Sequence, residues 1–165
     1  MKTEKATFAG GCFWHVEESF RHLPGVLKVT SGYTGGSVTK PSYEQVCSGN
    51  THHAEAVEVE FDSKKISFET LVGVFWKVHD PTTLFRQGPD VGEQYRSVIF
   101  YHSKEQKHIA EASKEKAGKS GKFDHPILTE IVAAKEFYPA EEYHQRYFEK
   151  HGRCALDHPE SPLVC

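Results

Sequence analysis

The sequence predicts a two-layer α/β domain with an antiparallel or mixed sheet, a split βαβ core with additions. Three observations carry that expectation. Strand-like and helix-like segments follow one another along the 165 residues as β-α-β-β-α-β and then α-β-α. The opening β-α-β resembles a crossover unit. In residues 55–62, Val57, Val59 and Phe61 alternate with Glu58, Glu60 and Asp62, the pattern of a strand with one buried and one wet face. A chain of this length supports one sizeable core and is short for two, so residues 1–165 are expected to form a single domain.

Each element has a local reason. Residues 6–9 read as a short strand and 12–22 as a helix, with Val16 and Phe20 four apart on one face and Pro24-Gly25 closing it. Residues 26–33 form the next strand. From 32 to 53 the chain is rich in Gly, Ser, Thr and Asn, a long loop of the kind that often carries function, with one helical turn over 42–47 capped by Ser42. Ser67 can cap a helix through Val78, whose Phe68, Leu71, Val72, Phe75 and Trp76 make an apolar stripe. Residues 79–94 are irregular, with two prolines and two glycines. A strand at 97–101 leads to a capping box, Ser103 with Gln106, and a charged helix to about 118. A turn at 119–125, a strand at 127–133 and a last helix at 139–151 bearing Tyr143, Tyr147 and Phe148 complete the order, and residues 152–165 form an irregular, mobile tail.

Charge and composition exclude several classes. The net charge is −3 and the basic residues are scattered among acidic ones, which argues against nucleic acid or an anionic membrane as the main partner. No stretch reaches the roughly 18 continuous apolar residues of a membrane span. The N-terminus, MKTEKATF, lacks the apolar block of a signal peptide, so a cytoplasmic protein is expected, with a monomer as the default. Eleven histidines and four cysteines invite a metal, yet no C-x-x-C pair or H-E-x-x-H is present, so neither metal nor other cofactor is expected. In a reducing compartment the cysteines point to redox or catalytic use rather than structural bridges.

Cys12 is the candidate nucleophile. It follows Gly10 and Gly11 at the start of a helix, where unpaired backbone N–H groups and the helix dipole favour thiolate over thiol. Phe13 and Trp14 place two aromatic faces beside it. Glu55 stands at the start of a strand, Tyr43 and Tyr95 lie in two Gly/Pro-rich loops, and Cys154 and Cys165 lie in the tail. Together they suggest a thiolate attacking an electrophile, an acid protonating an oxygen, phenols holding it, and tail thiols resolving the oxidised cysteine. Cys47 is read as structural.

Several blocks extend this set: Gly10-Gly11-Cys12-Phe13-Trp14, Gly32-Tyr33-Thr34-Gly35-Gly36, Tyr43-Glu44-Gln45-Val46-Cys47, His53-Ala54-Glu55-Ala56-Val57, His79-Asp80-Pro81, Arg86-Gln87-Gly88 and Gln94-Tyr95-Arg96-Ser97. In this order they resemble the peptide methionine sulfoxide reductase A family, from about residue 8 to 147. The resemblance implies a ferredoxin-like core and reduction of the S epimer of methionine sulfoxide, free or within proteins. Cys12 would attack the sulfoxide sulfur while Glu55, its pKa raised by aromatic enclosure, protonates the oxygen. Tyr43 and Tyr95 would donate hydrogen bonds to that oxygen, and Phe13 and Trp14 would hold the S-methyl group, with Asp90 a polar neighbour on the substrate side. The sulfenic acid left on Cys12 would condense with Cys154, and Cys165 would pass the oxidation on to thioredoxin or another dithiol. The tail HGRCALDHPESPLVC replaces the family's Gly-rich stretch around the recycling cysteines, which leaves the order and number of resolving steps open.

Two other readings stay open from the residues alone. A cysteine hydrolase or acyltransferase would use His52 or His53 as base to Cys12. A redox-regulated binding module would use Cys12, Cys154 and Cys165 only to sense oxidant.

Overall fold

A computed structural model describes residues 2–151 of the chain. Strand β1 (Thr3–Gly10) starts earlier than the expected residue 6, because Thr3, Glu4 and Lys5 pair with Asp62, Phe61 and Glu60. Helix α1 (Phe13–Arg21) then crosses to β2 (Val26–Thr34). After the short α2 (Tyr43–Cys47) the chain enters β3 (Ala54–Asp62), which inserts between β1 and β2 and runs antiparallel to both. That insertion makes the opening unit a split βαβ.

Helix α3 (Phe68–Val78) follows, with Ser67 Oγ accepting the Thr70 N–H at its start. Residues 79–94, expected to be irregular, contain a minimal hairpin of β4 (Arg86–Gln87) and β5 (Asp90–Val91) and one 3-10 turn at Glu93–Tyr95. Strand β6 (Ser97–Tyr101) pairs with the free side of β1. The four central strands therefore lie in the order fourth, first, third, second, the ferredoxin-like arrangement. Helix α4 (Lys104–Lys119), β7 (Glu130–Ala133), β8 (Tyr138–Pro139) and α5 (Tyr147–His151) complete the described chain. β7 is parallel to β6 and β8 antiparallel to β2, so the sheet is mixed.

The core forms between the sheet and the helices because the apolar faces of β1, α1 and α3 meet there. Phe8 on β1 stacks on Phe20 of α1 at 5.0 Å and on Phe75 of α3 at 5.1 Å between ring centres. Each such ring contributes about 2–3 kcal/mol by leaving water. A smaller cluster of Ala9, Ala54, Ala56, Val98 and Phe100 covers the opposite face.

Three local expectations are corrected. The Ser103 and Gln106 pair is only half a capping box: Ser103 Oγ accepts the Gln106 N–H, but the Gln106 side chain takes the His102 N–H and donates to Lys5 O instead. The strand expected over 127–133 begins at Glu130, since the Leu128 N–H donates to the Pro81 carbonyl rather than to a ladder. The helix expected over 139–151 is broken. A 3-10 turn, Glu142–His144, precedes Arg146 at φ 50, where a right-handed helix cannot run. Gln145 drives the break by accepting the Ser31 N–H and donating to the Ser31 carbonyl.

Candidate active site

β1 ends at Gly10, and Gly11 at φ 93 turns the chain so that Cys12 becomes the cap of α1. A side chain at either glycine would crowd its neighbours. A Cβ on Gly10 would lie 3.0 Å from ring carbons of His79 and Phe75, and one on Gly11 would lie 2.8 Å from Gln87 Cγ. The loop that follows α3 thus presses directly on the turn that presents the cysteine. His79 is fixed there by Nδ1 donating to the Phe75 carbonyl at 2.8 Å and by a 2.7 Å bond between Nε2 and Ser97 Oγ. Burial holds it neutral, its pKa brought down to about 4.

Cys12 is 3 % exposed and disulfide-bonded, whereas Cys47 is a free thiol. The helix start beside Cys12 has a partner that the sequence did not reveal: the Phe13 N–H donates to Glu55 Oε1 at 3.3 Å across 42 residues of chain. Glu55 is wholly buried on β3, and its Oε2 has no hydrogen-bond partner among the described residues. Burial pushes its pKa up to about 8, against the pull of the Phe13 N–H and with a further upward push from the Asp90 charge. At neutral pH the group is therefore a carboxylic acid, with Oε1 accepting and Oε2 left to carry the proton.

Two phenols lie within electrostatic reach of that carboxyl. Tyr43 is the first residue of α2, held by a full capping box in which Ser42 Oγ takes the Gln45 N–H and Gln45 Oε1 takes the Ser42 N–H. Its hydroxyl interacts with the Cys47 thiol one helical turn on. Tyr95 ends the 3-10 turn and is 3 % exposed. Burial pushes both phenols far above their ordinary range; the Cys47 thiol for Tyr43 and the Glu55 charge for both add to it, so both remain O–H donors. Asp90 on β5 is buried, its carboxyl raised by desolvation, and its Oδ1 has no partner among the described residues. Burial likewise raises the Cys47 thiol, with the Tyr43 hydroxyl acting against it. That makes Cys47 a poor thiolate.

The aromatic wall comes from α1 and the C-terminal segment. Phe13 packs on Tyr33 and His144 at 5.6 and 5.1 Å, and Trp14 stacks on Tyr147 at 3.7 Å. Trp14 Nε1 donates to His144 Nδ1 at 3.0 Å, which fixes the proton of this buried, neutral imidazole on Nε2. Sequence reading missed Tyr33, Glu141 and His144. Glu141 joins two elements of the site: Oε1 accepts the Tyr33 hydroxyl and Oε2 accepts the Tyr43 N–H, both at 3.0 Å. Although burial pushes the Glu141 carboxyl up, hydrogen bonds from its own N–H, the Tyr43 N–H and the Tyr33 hydroxyl hold it below the usual range. The one signal available was a polar Glu141, His144 and Gln145 set inside an aromatic-rich segment.

The fold thus brings Cys12, Phe13, Trp14, Tyr43, Glu55, Asp90 and Tyr95 into one neighbourhood, while Cys154 and Cys165 lie outside the described residues. The model of the family described as peptide methionine sulfoxide reductase matches residues 4–161. The chain belongs to the peptide methionine sulfoxide reductase family. It is 63 % identical over 149 residues to the peptide methionine sulfoxide reductase MsrA of Methanosarcina mazei, covering 90 % of this chain and 71 % of that one. The reduced form of Mxr1 from Saccharomyces cerevisiae superposes with a TM-score of 0.84 at 38 % identity, over 92 % of this chain and 87 % of that chain. Mxr1 solved in complex with Trx2 matches with a TM-score of 0.61 at 29 % identity, over 88 % of this chain and 85 % of that chain.

In this reductase-family chain the histidines of the hydrolase reading are engaged elsewhere. His53 accepts the Gly36 N–H on Nδ1 and bonds the Val38 carbonyl through Nε2, and His52 pairs with Glu93. Both belong to the loop between β2 and β3 as fasteners rather than as bases.

Proposed function

We infer that this chain reduces the S epimer of methionine sulfoxide, free or within polypeptides, to methionine, with Cys12 as nucleophile and Glu55 as acid. The Cys12 sulfur attacks the sulfoxide sulfur and forms an S–S bond while the sulfoxide oxygen takes the Glu55 proton; the S–O bond then breaks as that oxygen passes to the Cys12 sulfur and the S–S bond is cleaved, which releases methionine and leaves a sulfenic acid on Cys12. Methionine is thereby reduced by two electrons and Cys12 oxidised by two. A sulfoxide oxygen is a poor leaving group until protonated. The observation that carries the reading is the buried Glu55 carboxyl, protonated at neutral pH, bonded to the peptide next to Cys12 and with a second oxygen unengaged among the described residues.

Tyr43 and Tyr95 donate to the same oxygen as charge grows there, in the manner of an oxyanion hole. Phe13 and Trp14 hold the S-methyl, and Asp90 accepts from the polar part of the substrate. A second thiol, Cys154, condenses with the sulfenic acid to give a disulfide and water; Cys165 exchanges with it, and thioredoxin restores the dithiol. The Trx2-bound form of the yeast relative supports that reductant. The disulfide-bonded state of Cys12 supports a residue that cycles between oxidation states. The cytoplasm, where thioredoxin keeps thiols reduced, is the compartment that suits such a cycle, and no helix of the described residues is long and apolar enough to cross a membrane.

Incubation with the separate S and R epimers plus dithiothreitol tests the reaction and its stereochemistry together. Turnover of the S epimer alone is expected. Turnover in Cys12→Ser would overturn the assignment of the nucleophile, and hydrolysis of an ester without added dithiol would restore the hydrolase reading.

A further inference from the structure

Among the described residues six large apolar side chains stand exposed, and three of them, Leu84, Phe85 and Val91, fall within eight consecutive positions. Single exposed apolar residues need no explanation, but such a gathering does. It sits on the β4–β5 hairpin and the loop leading into it.

The hairpin has two faces. In its register Gln87 stands opposite Asp90, and Arg86 stands opposite Val91. Successive residues of a strand point to opposite sides, so the two pairs divide the work. The inner pair belongs to the site: Gln87 packs on Gly11, and the Asp90 charge bears on Glu55. The outer pair faces solvent, with Val91 70 % exposed and Leu84, just before it, 67 % exposed. Hydrogen bonds hold this piece rigid. Gln87 Oε1 accepts the Asp80 N–H at 2.9 Å, and the Gly92 N–H donates to the Phe85 carbonyl at 2.8 Å. Phe85 itself is kept at φ 52, a left-handed conformation that is strained for an aromatic residue. Neighbouring contacts must therefore hold it.

We propose that the exposed apolar residues of the hairpin and of the loop just before it, Leu84, Phe85 and Val91, are the docking rim for the unfolded polypeptide that flanks an oxidised methionine. The proposal rests on the site reading above, in which the sulfoxide binds beside Cys12 and Glu55. Continuity supports this occupant: Asp90 and Val91 are adjacent residues, one turned into the site and one out, so the exposed patch borders the site. Chemistry supports it as well. Oxidation makes methionine polar and disrupts the core it came from, so the residues around a damaged methionine are apolar and newly exposed. Three side chains on a narrow hairpin and the residues just before it suit an extended segment. A folded partner docks with roughly 20–30 residues a side.

The test uses Leu84→Ser with Val91→Ser in the full chain, dithiothreitol as reductant, and three substrates: free methionine S-sulfoxide, a peptide with the S-sulfoxide flanked by Leu and Phe, and the same peptide flanked by Ser and Gly. The double variant is expected to lose about tenfold in kcat/KM on the apolar-flanked peptide, mainly through KM, and to match the parent chain on the other two substrates. Equal kcat/KM for variant and parent on the apolar-flanked peptide, or an equal loss on all three substrates, would overturn the proposal. So would a loss that emerges only when thioredoxin replaces dithiothreitol, which would assign the rim to the reductant. Cys12→Ser is the separate control on the site reading: turnover there would sink that reading while leaving the comparison of peptides intact.

Discussion

Glu55 accepts the backbone N–H of Phe13 at 3.3 Å, so the candidate acid is bonded to the first peptide of the helix that Cys12 caps. The bond sets the distance between acid and nucleophile through the main chain rather than through a flexible side chain. It also engages one carboxyl oxygen and leaves the other for the substrate.

The pH dependence of the chemical step follows from that carboxyl. With its pKa pushed up to about 8, Glu55 is protonated below that value and ionised above it. The rate of a single turnover with excess sulfoxide should therefore hold steady from pH 6 to about 8, once the thiolate dependence is accounted for, and fall as pH rises further. Glu55→Gln keeps the shape and an acceptor for the Phe13 N–H but has no proton to give. It should slow that turnover by about 10²–10⁴-fold and remove the alkaline fall. A Glu55→Gln rate equal to that of the parent would remove Glu55 as the acid.

The same substitution should stabilise the fold. A carboxyl whose folded pKa is raised binds its proton more tightly folded than unfolded, so its favourable contribution is complete below the unfolded pKa of 4.5 and is lost as pH rises toward about 8. Near pH 7 the unfolded chain has gained the ionisation that the folded chain is denied. Glu55→Gln removes that difference and should raise stability by about 3 kcal/mol at pH 7 and by almost nothing at pH 4. Urea denaturation at the two pH values measures it. Equal shifts at both would show that the carboxyl is not held protonated.

The succession of strands and helices and the placing of Cys12 at a helix start were legible because both rest on local pattern: alternation in residues 55–62, an amphipathic α3, and Gly10-Gly11-Cys12 at a strand-to-helix turn. Glu55 was legible as a candidate through its block, but its bond to Phe13 was not, since strand pairing alone brings the two together across 42 residues. Glu141 and His144 were lost for a related reason. Residues 139–151 carry a helical-looking run of Tyr143, Tyr147 and Phe148, and the competing pull is a tertiary one: Gln145 satisfying both backbone groups of Ser31 on β2. A sequence window contains no trace of that partner.

Glu141 ties Tyr33 to the start of α2, and Tyr43 depends on it for its backbone position. Glu141→Ala removes the acceptor of both bonds. A cost of about 1–3 kcal/mol in folding stability is expected, together with a lower kcat on free methionine sulfoxide as the Tyr43 hydroxyl drifts from its place. Tyr33→Phe breaks only the bond from the Tyr33 hydroxyl and should lose stability while keeping kcat close to that of the parent. Equal kcat losses in the two variants would mean that Glu141 acts through general stability rather than through Tyr43.

Trp14 is held by His144, whose Nδ1 accepts the indole N–H at 3.0 Å while its ring packs against Phe13 and Tyr43 at 5.1 and 4.4 Å. His144→Phe preserves the ring contacts but leaves the indole N–H buried without an acceptor, a penalty of about 1–3 kcal/mol that the indole can relieve by turning away. If Trp14 holds the S-methyl group, the variant should raise KM for small methyl sulfoxides several-fold with little change in kcat. His144→Asn, whose side-chain oxygen can accept from the indole, should recover part of the loss. Steady-state kinetics on dimethyl sulfoxide and free methionine sulfoxide separate the outcomes. An unchanged KM in His144→Phe would mean that the indole does not bear on the methyl, and a KM that rises equally in His144→Asn would mean that the hydrogen bond is not what holds it.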